Sequence, residues 1–139
     1  MSESKQAGTE SPLLVEKRSG IATLTLNRPA ARNALTDAMF IDMERILIDF
    51  ESDDEVRVIV ITGAGRSFSS VADLRPVSKE ERQRTRAPSF PGDPGGDILA
   101  RGNRCILRLR RLPKPVLASI NGHAVGAGCS LALAADLRI

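Results

Sequence analysis

Tryptophan and tyrosine are absent and phenylalanine occurs four times, so aromatic side chains make up only 3% of these 139 residues. Proteins that grip single-stranded RNA or DNA stack bases on aromatic rings, and this chain has almost none to offer. Cys105 and Cys129 are the only cysteines; they lie far apart, fit neither a metal-ligand spacing nor a disulfide framework, and are read as buried thiols. No apolar run reaches the roughly 18 residues a spanning helix needs. The start Met1-Ser2-Glu3-Ser4-Lys5 lacks the charged-then-apolar order of a signal peptide. A cytoplasmic domain without a membrane, metal or nucleic-acid partner is expected.

What the chain does have is an ordinary globular balance, 42% apolar and 27% charged, with a net charge of +3. That charge is too small to argue for a polyanionic partner, but it is unevenly spread. From Arg75 to Arg111 there are ten Lys and Arg against four Asp and Glu. Charge alone makes this stretch a solvated, Arg-rich loop and helix face.

Residues 1–12 are polar and small and read as a flexible tail, leaving 13–139 as the folded core. Alternation through Leu13, Val15, Ile21, Thr23 and Thr25, with Ser19-Gly20 between, predicts a β-hairpin that ends at Asn27-Arg28-Pro29. Thr36 is a plausible N-cap for an amphipathic helix carrying Met39, Phe40, Met43, Ile46, Leu47 and Phe50. The β-branched run Val56 to Ile61 suits a strand buried on both faces. Residues 75–96, with four prolines and three glycines, predict a long mobile loop. A second amphipathic helix through Ile98, Cys105, Leu109 and Leu112 stops at Pro113, and Val116 to Ile120 is the next strand. This order describes an α/β sheet with helical crossovers, whose sites form where strand ends meet the following loops.

Two strands each feed a run of small residues, Gly63-Ala64-Gly65 onward to Asp73 and Asn121 to Gly128. Small side chains let a bound group approach the main chain, so that backbone N–H groups can point at an oxyanion. Either run alone is no more than a turn, and neither fits a phosphate-loop or dinucleotide fingerprint.

In this order the segments resemble the crotonase superfamily, the enoyl-CoA hydratase/isomerase group. The resemblance is carried by Leu24-Thr25-Leu26-Asn27-Arg28-Pro29, Arg32-Asn33-Ala34-Leu35, Val58 to Asp73, Lys114-Pro115-Val116-Leu117-Ala118 and Ala135-Asp136-Leu137-Arg138-Ile139. It implies a crotonase-like ββα spiral that binds an acyl-CoA thioester, its carbonyl oxygen held by the amides of Ala72 and Ala127. It further implies that the adenine end of coenzyme A lies against Ala34, Ser70, Ala72 and Leu74, with Arg75 or Arg28 near its phosphates. Coenzyme A arrives as part of the substrate, and no separate cofactor is implied.

Three departures qualify that picture. Val71 stands where the family has glycine, and a β-branched residue that resists positive φ would crowd the loop. Ser130 stands where hydratases carry a catalytic glutamate, and a hydroxyl without an activator is a poor base. The second glutamate would lie beyond Ile139, since family members run to about twice this length. An amino-terminal half, truncated before the carboxy-terminal helices that cover the site and build trimers or hexamers, is therefore expected, with an exposed final strand edge prone to self-association. His123 is read as a packing or hydrogen-bonding residue, and Asp73 and Asp136 as residues that orient backbone rather than act as acids. Two readings stand side by side: a hydratase or isomerase with a thioester oxyanion hole, or an acyl-CoA- or partner-binding module without turnover.

Overall fold

The opening hairpin pairs β1 (Leu13–Arg18) with β2 (Ile21–Leu26) in antiparallel register, Arg18 opposite Ile21. A two-residue turn of this kind demands positive φ at both positions, and Ser19 (53°) and Gly20 (81°) supply it. The computed structural model describes residues 10–72, 79–80 and 98–139. The loop expected at 75–96 falls outside the described residues apart from positions 79–80, as does most of the expected tail.

Helix α1 (Asp37–Ser52) begins where the sequence places its cap: the Thr36 hydroxyl accepts from the Met39 amide at 3.2 Å. Its apolar stripe of Met39, Phe40, Met43, Leu47 and Phe50 is buried against the sheet. At the far end the Lys114 ammonium donates to the carbonyls of Phe50 and Asp53, at 2.6 and 2.7 Å, covering acceptors that a helix C-terminus leaves open.

Strand β3 (Val58–Gly63) returns parallel to β2. The expected burial on both faces is not what forms: Ile59 and Ile61 are fully buried, whereas Val58, Val60 and Thr62 are half-buried, because helices cover one face of the sheet more completely than the other. A short strand β4 (Ser67–Ser69) follows inside the first small-residue run. Helix α2 (Ile98–Arg111) leads into β5 (Val116–Ser119), which lies parallel to β3. The second small-residue run contains β6 (His123–Ala124), parallel to β4 in a separate two-stranded sheet, and then helix α3 (Ala127–Ala134). Strand β7 (Leu137–Arg138) closes the larger sheet, whose order is β1-β2-β3-β5-β7. The two short strands and α3 are invisible as periodicity, since strands of two or three residues carry no alternation and α3 is apolar all round.

The basic surplus of α2 is not a purely solvated face. Asp37, Glu44 and Glu51 recur every seventh residue on α1 and meet Arg101, Arg104 and Arg108 of α2 in the same order, as two parallel helices require. Arg101 is the extreme case, with its side chain 1% exposed and its guanidinium bonded to Asp37. Of the two thiols, Cys105 is fully buried and Cys129 half-buried. Burial pushes the Cys105 thiol from the usual 9.0 up to about 12.

Two outcomes follow. Asp37→Asn strands the Arg101 charge in the interior and costs about 3 kcal/mol in urea denaturation, while adding Arg101→Met recovers most of that loss because an apolar replacement needs no partner. A disulfide-exchange thiol titration counts one reactive cysteine, Cys129, in the native chain and two in urea, since the Cys105 thiolate does not form in the core.

Candidate active site

Two loops are locked together by one side chain. Arg32 and Asn33 both adopt positive φ (52° and 55°), a conformation that asparagine tolerates better than most residues. The turn they make buries Asn33 completely. Its Oδ1 accepts from the Arg28 amide at 2.8 Å, and its Nδ2 donates to the carbonyls of Ala64 (2.9 Å) and Ser67 (2.8 Å). Ser69 Oγ donates to the Asn33 carbonyl at 2.7 Å, and the Ser70 amide donates to the Arg32 carbonyl at 3.0 Å. The segment after β4 is thereby laid alongside residues 31–35, and Ala72 ends in an isolated parallel bridge with Leu35.

The second small-residue run is seated on the first. The Val125 amide donates to the Ser69 carbonyl at 3.0 Å, and a Cβ on Gly128 would lie 2.3 Å from that same oxygen, so only glycine lets α3 start this close. Gly126, with φ 55° and ψ −121°, makes the turn into the helix. Ala127 is the first residue of α3, where an amide has no intrahelical acceptor.

A cavity of about 220 Å³ opens between these segments and α2. Ala72, Ala127 and Ser130 line one side; Phe40, Ile98 and Ile106 supply much of the apolar remainder, and Asn103 adds an amide. The three residues named from the sequence as catalytic thus share one cavity, although they come from separate elements. Among its described lining residues there is no carboxylate and no imidazole. Ser130 is exposed, and its hydroxyl makes only a long 3.3 Å bond back to the Gly126 carbonyl. A larger groove of about 330 Å³ between α1 and α2 is lined largely by Glu44, Glu51, Arg104, Arg108 and Arg111, opposite charges that serve one another.

The residues expected around coenzyme A are partly gathered. Arg28 donates through its guanidinium to the Ala34 carbonyl at 2.6 Å, and Ser70 sits on the same clamped pair of loops. Leu74, Arg75 and Asp73 lie outside the described residues. Val71 does not strain the loop as expected. It is not among the described residues with positive φ; it is exposed, and its side chain lies beside Gly126, where a Cβ would come within 2.7 Å of Val71 Cγ1. His123 is exposed on β6, paired with Ser67, and does not line the cavity. Asp136 accepts from the Val116 amide at 2.8 Å, joining the starts of β7 and β5. Asn33, Asn103, Phe40 and Gly102 were not singled out as site residues. Only Asn33 carried a usable signal, an asparagine in a turn where left-handed backbone is needed.

The mostly parallel sheet with its helical crossovers, and a cavity where its loops meet α2, define a layered α/β fold. The family model for enoyl-CoA hydratase/isomerase matches residues 16–139, and the chain belongs to that family, within the crotonase superfamily. It is 37% identical over 135 residues to a protein named probable enoyl-CoA hydratase 1, peroxisomal, of Arabidopsis thaliana, covering 96% of this chain and 46% of that one. It is 40% identical over 126 residues to the 1,2-epoxyphenylacetyl-CoA isomerase of Escherichia coli K12, covering 90% and 45%. The solved structure of Pseudomonas aeruginosa PA4980 superposes with a TM-score of 0.76 at 38% identity, covering 94% and 52%. The chain spans about half the length of the curated relatives it matches.

Gly126→Ala forces a Cβ to within 2.7 Å of Val71 Cγ1 and into a backbone region that side chains avoid. The expected cost is about 1–3 kcal/mol, read as a lowered urea midpoint. Val71→Ala relieves the contact but not the φ, so the double variant stays well below the parent.

Proposed function

We propose that this chain binds an acyl-CoA thioester and polarises its carbonyl between the amides of Ala72 and Ala127. The observation that supports this reading is that these two alanines, distant in sequence and on different elements, line one cavity. Negative charge develops on a thioester oxygen when its α-carbon gives up a proton, and two fixed amides answer that charge without reorganising. In comparable holes one donor is worth about 2.7–4 kcal/mol of barrier. Coenzyme A comes with the substrate, its adenine end over Ala34 and Ser70 and its phosphates toward Arg28; Leu74 and Arg75 belong to the same proposal. A homo-oligomer, as the resemblance implies, is part of the same proposal.

Hydration needs a group that activates water and one that moves a proton. Of the three matched residues in the cavity only Ser130 has a side chain that could move a proton, and no described lining residue is a carboxylate or imidazole that would activate it. This favours the second reading, an acyl-CoA-binding module that does not hydrate. The relatives' names speak to the same point: one is a hydratase and another an isomerase at similar identity.

Ala127→Pro separates the donor from the fold. Proline is well tolerated at the first position of a helix, so α3 persists while the amide hydrogen is removed. Calorimetry of the parent shows butyryl-CoA binding more tightly than free coenzyme A, and the proline variant loses that margin with its circular dichroism unchanged. Equal affinity of the parent for both ligands would overturn the thioester reading. In a crotonyl-CoA hydration assay the parent shows no more than trace turnover; robust turnover abolished by Ser130→Ala would instead make that serine the working group.

A further inference from the structure

Gly102 and Asn103 sit side by side in the middle of α2, two poor helix formers where alanine or leucine would serve the helix better. Such a local conflict usually has a compensating reason. For Gly102 the reason is packing: a Cβ there would meet the Phe40 ring at 3.3 Å, and that ring forms part of the cavity wall. Asn103 has no comparable explanation. It lines the same cavity as Ala72 and Ala127, it is exposed to solvent, and among the described residues its amide makes no hydrogen bond.

Apart from Ser130, Asn103 is the only polar side chain facing this cavity among the described residues, and both are neutral. A carboxylate in such a place could take a proton; an amide cannot, but it offers two donors and one acceptor to an uncharged oxygen. We infer that Asn103 is a specificity-determining residue that selects acyl groups bearing an oxygen beyond the thioester carbonyl over saturated hydrocarbon chains. The inference rests on the acyl-thioester reading above and adds to it the chemistry of the acyl group.

The test compares calorimetric affinities of the full chain for 3-hydroxybutyryl-CoA, butyryl-CoA and free coenzyme A. A net hydrogen bond to a solvent-accessible amide is expected to favour the hydroxylated thioester about tenfold. Asn103→Leu brings the two thioesters to equal affinity, and Asn103→Gln, which keeps the amide, retains a part of the preference. Should both thioesters bind the parent equally, yet more tightly than free coenzyme A, the role of Asn103 is overturned and the thioester reading stands. A preference that survives Asn103→Leu overturns it as well. Should neither thioester bind more tightly than free coenzyme A, the thioester reading falls and this inference falls with it. Because the first comparison uses the parent chain alone, a variant that misfolds does not remove the test.

Discussion

Asn33 lies fully buried with left-handed backbone and spends its entire side chain on main-chain groups of two loops: the Arg28 amide on its own and the Ala64 and Ser67 carbonyls on the other. A buried amide is costly unless every bond is made, so this residue holds its geometry or the loop opens. Ser69 returns a bond to the Asn33 carbonyl, its own carbonyl receives the Val125 amide, and Gly128 presses against that same carbonyl. Through this chain of contacts one asparagine sets the distance between the end of β4 and the start of α3. The cavity faced by Ala72 and Ala127 exists because that distance is set.

The opposite wall depends on a different force. Helix α2 reaches the cavity only because it lies parallel to α1, and that registry is written in paired charges as well as in apolar packing. Asp37, Glu44 and Glu51 meet Arg101, Arg104 and Arg108, with the first pair buried and the last largely open to solvent. Exposed pairs contribute little to stability, whereas a buried one penalises any sliding that would separate it. The same registry brings Gly102 against Phe40 and leaves Asn103 at the cavity.

Family membership is shared by relatives whose names give different reactions, a hydratase and an isomerase among them. Backbone amides serve any step that places charge on a carbonyl oxygen, and side chains decide which bond then changes. This chain carries serine at a position where hydratases of the resembled family carry glutamate, and the described cavity holds only neutral polar groups.

Much was legible from the linear order. The hairpin, both long helices, the Thr36 cap and the three main parallel strands follow from periodicity, capping chemistry and β-branched runs, because each is a contest among neighbours within a few residues. The resemblance named Ala72, Ala127 and Ser130, and these three line one cavity. Four features were not legible: the short strands β4 and β6, the burial of Arg101, the contact of Val71 with Gly126, and the position of Asn103. Each arises from contact between segments far apart in the chain, where a side chain's surroundings are supplied by residues its own neighbourhood does not contain. An arginine in a basic helix reads as solvated until a parallel helix presents a carboxylate to it. An asparagine on a helix reads as surface until the fold sets a cavity before it.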